Sequence, residues 1–521
     1  MPSVADLPAE LLSYIFEAYV APPSANLPTT LRVVCKRWRE ISESTPGIWN
    51  DLLLGSGTQW TQRALEWSGS CPLTVDAVKV QVQERPDWHD SMLLILPNIH
   101  RIKGLYVGFP PHHFPGKIRQ IMRMLDDCAA PLLEAFRMTG PTNPLAILKL
   151  GLNFLSAPLP RLREVRISNC IIVPQCPILG APQLSSLTIR QCTIWSTMDE
   201  VVETLRLLPL LETFRWEDQP PDGATFEGST LLPPNTLETG PTKLSNLRSL
   251  DIRHTIEAIV NLMDRIEMPS SCTIALDASL VNNPATAMVV DAVDRVLSPY
   301  LSARFPIGSG KGYGGFVVSD FWHHMARGLT VQWTMDSEAA VDDYSGQKGD
   351  LSLALHEGHF DDDEMLSMIW RMVDRWPATR VAVRHIVARH PHVFGNRPSD
   401  LSRFIPSWVA ILGKFEAVEK LSISSRAIAY LPALLSSSHT RIFPRLELII
   451  VRFAKMTSTD VGLLSTALLQ RRDGVHSSSS SKVILENCEV DNVDRPKREM
   501  VVALGEMPRP KDKTSIAYLI F

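Results

Sequence analysis

The chain has 521 residues, of which 45% are hydrophobic and 21% charged, enough apolar material for several domains or one elongated array and too much for wholesale disorder. Its formal net charge is only −4, so no global field draws it to nucleic acid or to an anionic membrane. No run approaches the length of a membrane span, and Met1 to Asp6 lack the basic flank and apolar stretch of a secretory signal; the expectation is a soluble intracellular protein, cytoplasmic or nuclear. The eight cysteines, Cys35, Cys71, Cys128, Cys170, Cys176, Cys192, Cys272 and Cys488, include no CxxC pair and suit a reducing compartment as small buried side chains.

From Leu7 onward, Pro8 suits a first helical position, and Leu11, Leu12, Ile15, Phe16 and Tyr19 recur at helical spacing. A short amphipathic helix is expected there. A proline-rich connection through Pro22, Pro23 and Pro28 leads to Thr29 and Thr30, candidate N-caps of a second helix. That helix would carry Leu31, Val34, Cys35, Trp38 and Ile41 on one face and Lys36, Arg37 and Arg39 on the other. Thr45 before Pro46 reads as a cap followed by a first-turn proline, opening a third helix with Ile48 and Trp49 on its apolar side. Three helices this short bury too little alone, so the unit must lean on something else.

The series Leu7-Pro8-x-Glu10-Leu11-Leu12-x-x-Ile15-Phe16, Leu31-x-x-Val34-Cys35-Lys36-Arg37-Trp38-x-x-Ile41 and Thr45-Pro46-x-Ile48-Trp49 resembles an F-box, with a first interhelical connection longer than usual. The resemblance implies that residues 1–54 bind a Skp-type adaptor through Leu7, Pro8, Leu11, Leu12, Ile15, Phe16, Leu31, Val34, Cys35, Trp38, Ile41 and Trp49. Through that adaptor they would join a cullin ligase core, while residues 55–521 hold a protein substrate; no enzyme activity, cofactor, metal, nucleic acid or membrane is implied. Trp67 to Val75 and Ile484 to Cys488 resemble segments of basidiomycete fungal F-box proteins. Without the resemblance, the same helices read as an amino-terminal cap of a larger domain.

A worn repeat follows. Leu162-x-x-Val165-x-Ile167-x-x-Cys170-x-Ile172 and Leu184-x-x-Leu187-x-Ile189-x-x-Cys192-x-Ile194 both fit the leucine-rich-repeat template. Half-copies begin at Leu133, Leu211, Leu247, Val418 and Leu446, and Val483-x-Leu485-x-x-Cys488-x-Val490 keeps the second half. Each copy predicts a short strand with its cysteine tucked under the next coil, and helices are expected at Met198 to Leu208 and Val289 to Leu297. The fold class expected is α/β: an N-terminal three-helix F-box followed by an irregular leucine-rich-repeat-like solenoid, parallel strands on its concave side and helices on its convex side. Residues near 299–350 are expected as an irregular insertion, and Ser477 to Ser481 as a surface loop.

Few motifs point to chemistry. Gly308 to Gly315 is glycine-rich, but Lys311 is followed by Gly312 rather than by Ser or Thr, so the phosphate-loop pattern fails. His356-Glu357-Gly358-His359 lacks the spacing that puts two ligands and a base on one helix, and His385, His390 and His392 have no cysteine or carboxylate cluster beside them. Asp361 to Glu364 lacks the alternation of a calcium loop and suits the opening of a helix from Met365 to Trp376. The strand copies instead offer a surface: Arg137, Arg166, Arg190, Arg215, Arg253 and Arg452 face away from the apolar positions. Of these, Arg166, Arg190, Arg215 and Arg253 are the candidate substrate contacts, suited to an acidic or phosphorylated segment. Glu164, Glu217 and Asp251 dilute the field, and a merely solvated strand face would look the same.

Overall fold

The computed structural model describes residues 7–20, 27–52, 57–78, 87–109, 115–141, 147–217, 231, 240–280, 285–306, 312–323, 326–335, 350–357, 362–376, 379–389, 412–424, 443–452, 455–457, 462–464, 466, 482–486, 489–491 and 516–520. The chain forms two compact units, one from residues 1–228, 239–249 and 265–267, the other from 229–238, 250–264 and 268–521.

The first unit opens with α1 (Ala9–Val20), α2 (Leu27–Val34), α3 (Lys36–Glu43) and a 3-10 turn, Pro46–Trp49. The single second helix expected from the sequence is broken at Cys35. Its backbone is extended (φ −159°, ψ 170°) and its Sγ accepts the Trp38 amide at 3.4 Å, so Cys35 caps α3 instead of continuing α2. The break re-phases the faces, turning Leu31 and Ile41 inward and leaving Val34 and Cys35 outside. Thr29 and Thr30 lie within α2 and do not precede it. Thr45 makes no cap bond; its hydroxyl donates to the Ile41 carbonyl at 2.7 Å.

These helices end by Trp49 and pack on the helix that follows. Trp49 donates its indole N–H to the Ser42 carbonyl at 2.7 Å and packs on Trp60 and Trp67 of α4 (Thr58–Trp67), with ring centroids 5.6 and 4.6 Å away. Arg32 lies 4.6 Å from the Trp67 ring and pairs with Glu43 at 2.6 Å. Each aromatic pair adds about 0.5–1.5 kcal/mol beyond its buried area. β1 (Asp51–Leu52) follows directly and pairs in parallel with β2 (Leu73–Ala77), so the helical bundle runs straight into a sheet.

The sheet of the first unit continues through β3 (Ile102–Gly108), β4 (Ala135–Thr139), β6 (Glu164–Ser168), β8 (Ser186–Arg190) and β9 (Thr213–Glu217), every neighbour parallel. β5 (Leu148–Leu150) and β7 (Cys170–Ile172) form a second, short parallel pair. Parallel neighbours need crossovers; the helices Trp88–Ile95, Pro115–Leu125 and Met198–Arg206 lie in three of the intervening connections. The two full sequence copies are β6 and β8, adjacent and in register, with Val165, Ile167, Leu187 and Ile189 wholly buried. Asn169 (φ 56°) and Gln191 (φ 48°) turn the chain out of these strands in the left-handed region, and Cys170 and Cys192 then bury themselves. Gly140 occupies the corresponding turn after β4; a Cβ there would stand 2.1 Å from the Asn169 carbonyl oxygen.

β10 (Thr242–Lys243) and β12 (Ile266–Glu267) pair in parallel, and between them β11 (Ser249–Thr255) enters the second unit at Leu250. The second unit holds β13 (Thr273–Ser279), β14 (Gly315–His323), β15 (Ala326–Thr334), β16 (Leu351–Glu357), β17 (His385–Arg389), β18 (Lys420–Ser424), β19 (Leu448–Arg452), β20 (Lys455–Thr457), β21 (Lys482–Glu486), β22 (Glu489–Asp491) and β23 (Ile516–Ile520). The spatial order is β13-β16-β15-β14-β17-β18-β19-β21-β23, with β20 and β22 a separate parallel pair. β15, in the stretch expected as an irregular insertion, runs antiparallel to both neighbours, and β23 runs antiparallel to β21, a departure from the parallel strands expected of the solenoid. Only residues 324 and 325 separate β14 from β15, and so short a link permits a hairpin but no parallel crossover. Residues 299–350 thus contribute the end of the helix Thr286–Arg304 and a hairpin lying within the sheet.

Several strands of the second unit, β11, β13 and β16 to β19, have consecutive buried residues, whereas β15 alternates from Thr330 to Thr334. β11, β13 and β19 each have three consecutive buried residues, and Ser352, His385 and Ser422 are buried with their apolar neighbours. The helix Ile256–Met263, capped by Thr255, is buried at all eight positions, Glu257 and Asn261 included. Among the described residues no helix is long and apolar enough to cross a membrane.

Candidate functional site

α1 divides its apolar residues between two directions. Leu12 and Phe16, one turn apart, are 1% exposed, and Phe16 meets Trp38 at a centroid distance of 4.8 Å. Leu11 and Ile15, on the adjoining row, are each 49% exposed, and Tyr14 and Tyr19 flank them in the open. α2 packs against α1 and adds the exposed Val33 and Val34. A helix needs only a stripe of apolar residues to face its own core; here the remainder stands in water, and such patches mark interaction sites.

The twelve residues marked from the sequence therefore fall into two groups. Leu12, Phe16, Leu31, Ile41 and Trp49 are buried and build the bundle, with Leu7 and Trp38 half-buried at its margin. Pro8, Leu11, Ile15, Val34 and Cys35 are exposed and available to a partner. The Leu7 carbonyl accepts a bond from Arg37, and the Ser13 and Thr45 hydroxyls meet at 2.9 Å, fixing α1 to the segment that follows α3. Tyr14, Tyr19 and Val33 belong with the exposed group; their signal is an apolar arc on α1 and α2 wider than one buried face requires.

The second surface is the outward face of the first unit's sheet. Arg137 of β4 and Arg166 of β6 are Cα partners, while on β8 the same row holds Thr188, followed by Arg215 on β9. Arg190 is two residues further along, in register with Ser168 and Glu217. Arg253 lies in the second unit, 3.4 Å from Asp277. The arginines therefore make no single row. Glu164 stands between Arg137 (3.6 Å) and Arg166 (2.7 Å), and Glu217 between Arg190 (3.4 Å) and Arg215 (3.2 Å). The Arg137 guanidinium also sits over the Tyr106 ring of β3 at 5.2 Å. Burial pushes the Tyr106 phenol above its ordinary value, Glu164 adds to the rise, and the arginines oppose it.

The motifs weighed for chemistry scatter. Gly308 to Lys311, His359, His390, His392, Asp361, Ser477 to Ser481 and Cys488 lie outside the described residues. Gly314 leads into β14, its carbonyl accepting the amides of Arg384 and His385, and the neighbouring Tyr313 is fully buried. His385 is buried 2.9 Å from the Ser422 hydroxyl, inside the sheet. Asp362 to Glu364 begin the helix Asp362–Arg375. Among the described residues no three His, Cys, Asp or Glu side chains converge as a metal site would require. Cys176 and Cys272 are buried, which pushes their thiols to about 11 and about 12.

Comparison with protein families matches residues 4–54 to the F-box-like family, so the bundle of α1 to α3 is an F-box-like domain. Domains of this family serve protein interaction and generally bind Skp-type adaptors. A search of the curated proteins finds none that matches this chain.

Proposed function

We propose that the chain is a substrate-recognition subunit of a Skp/cullin/F-box ubiquitin ligase. Its F-box-like domain docks on the adaptor through Pro8, Leu11, Ile15 and Val34, joined by Tyr14, Tyr19 and Val33, and the sheet that grows from the domain holds a protein substrate. The carrying observation is the split on α1, where Leu11 and Ile15 stand in water beside a core already filled by Leu12 and Phe16. Catalysis belongs to the partners: the receptor raises the effective concentration of substrate at the ubiquitin carrier.

The connection of domain to sheet through Trp49, α4 and β1 supports the receptor reading, because a substrate bound on the sheet is then held at a set distance from the adaptor. A repeat solenoid of leucine-rich type is the reading favoured for the remaining parallel strands. The alternative is an F-box scaffold without ubiquitin transfer. Affinity capture of the full chain from cells, with Leu11→Asp/Ile15→Asp as its control, tests both. The receptor reading expects adaptor, cullin and ubiquitylated co-captured protein, all lost together in the variant; adaptor without cullin or ubiquitylated cargo favours the scaffold.

A further inference from the structure

The outward face of the first unit's sheet has an uneven charge distribution. On β4 and β6, Arg137 and Arg166 stand at partnered register positions and share one carboxylate, Glu164, at 3.6 and 2.7 Å. A guanidinium presents five N–H donors in a planar fork, far more than half of one carboxylate satisfies. The Arg137 guanidinium sits over the Tyr106 ring at 5.2 Å, a cation–π contact that helps hold it in place. Both guanidinium-bearing side chains keep more than a third of their surface in water, 37% and 47%. Their neighbours on the same strand face, Ala135, Thr139 and Ser168, are too short to cover them. On β8 and β9, Arg190 and Arg215 also share one carboxylate, Glu217, but from register positions two residues apart.

We propose that Arg137 and Arg166, braced by Tyr106 and Glu164, clamp a carboxylate of an Asp- or Glu-bearing segment of the protein substrate. The proposal rests on the receptor reading above and gives that substrate a chemical class. Two cations and one carboxylate leave a single positive charge at the clamp, which one incoming carboxylate neutralises, whereas a phosphate dianion would leave the site negative. Nucleic acid fits poorly for a related reason: a backbone with a charge on every phosphate would meet Glu164, Glu217 and Asp76 on the same face as the arginines. A polypeptide sets its charges individually and avoids those positions. The clamp lies on the third and fourth strands from β1, so the segment would be held on the same unit as the adaptor-binding helices.

The test uses the full chain bound to its Skp-type adaptor and reads fluorescence anisotropy of short labelled peptides of Gly and Ser carrying either Asp and Glu, Asn and Gln, or phosphoserine, with an oligouridylate alongside. The Asp/Glu peptide should bind. Arg137→Glu/Arg166→Glu should weaken that binding at least tenfold, about 1.4 kcal/mol, while Lys243→Glu, an exposed reversal elsewhere in the unit, should not. Arg137→Lys/Arg166→Lys, which keeps the charge and removes the fork, should fall between them. Raising salt from about 0.05 to about 0.5 M should weaken binding, since exposed charge contacts are screened. Equal binding of the Asn/Gln peptide, preference for phosphoserine or oligouridylate, no peptide binding, or indifference to the double reversal overturns the clamp. Adaptor affinity measured on the same samples separates the two failures: intact adaptor binding with no carboxylate preference removes the clamp alone, and wild-type chain that fails to bind adaptor removes the receptor reading.

Discussion

The sheets of the two units are built from similar apolar strands yet meet solvent differently. In the first unit β4, β6 and β9 alternate buried and accessible residues, so one face packs on the crossovers and the other presents arginines, glutamates and Tyr106. In the second, β11, β13, β16 to β19 are buried on both sides, and even their polar residues, Ser352, His385 and Ser422, are enclosed. A recognition face requires the first pattern. A strand enclosed on both faces contributes stability and an internal hydrogen bond such as that between His385 and Ser422, but no surface. The contrast teaches that an alternating strand motif identifies where a sheet lies without saying which of its faces is free.

The sharpest way to break that contrast is one charge placed on each sheet. Val387→Asp, on the second unit's β17 beside Val317, buries an unpaired carboxylate, and chemical denaturation should show a loss of about 3–5 kcal/mol. Arg166→Asp on the first unit's outward face should change stability by no more than about 1 kcal/mol, the range of exposed ion pairs. Comparable losses at both sites would mean that the first face is covered too.

A smaller effect, confined to the second unit, comes from His254. Burial drives its imidazole down to about 3, and its Nδ1 accepts the Thr255 amide at 2.7 Å, so the folded protein holds the ring neutral. The unfolded ring titrates near its ordinary value of 6.5. Below that pH the unfolded chain binds a proton that the folded chain refuses; the stabilisation is present above 6.5 and is lost as pH falls toward 3, at about 1.4 kcal/mol per pH unit. Denaturation midpoints between pH 7 and pH 4 should fall accordingly, and His254→Asn, which keeps an acceptor at the Nδ1 position, should flatten that part of the dependence. An unchanged slope in the variant would place the titrating group elsewhere.

Much of the strand framework was legible. The copies at Leu133, Leu162, Leu184, Leu211, Leu247, Val418, Leu446 and Val483 all lead into or lie in strands, because alternating branched side chains with a small residue at the turn have few other ways to pack. Three features were hidden for physical reasons. The break at Cys35 depends on a sulfur accepting an amide, which carries no strong capping signal. The enclosure of the second sheet depends on contacts distant in sequence. The division of the twelve motif residues into buried and exposed depends on the phase of α1 and α2, which a motif naming both kinds cannot resolve. The scattering of the arginines, by contrast, was visible all along: Arg166 stands between its strand's two apolar positions and Arg190 follows the second, an offset of two residues.

We propose that the exposed row of α1, and not its buried row, meets the adaptor. Isothermal titration of a purified Skp-type adaptor into the full chain tests it most directly, comparing wild type with Leu11→Asp/Ile15→Asp and confirming by thermal melting that the variant is folded. The melt should be unchanged and the affinity should fall by at least about 2 kcal/mol, roughly thirtyfold, as for removal of a central interface anchor. Wild-type affinity in the folded double variant would contradict it.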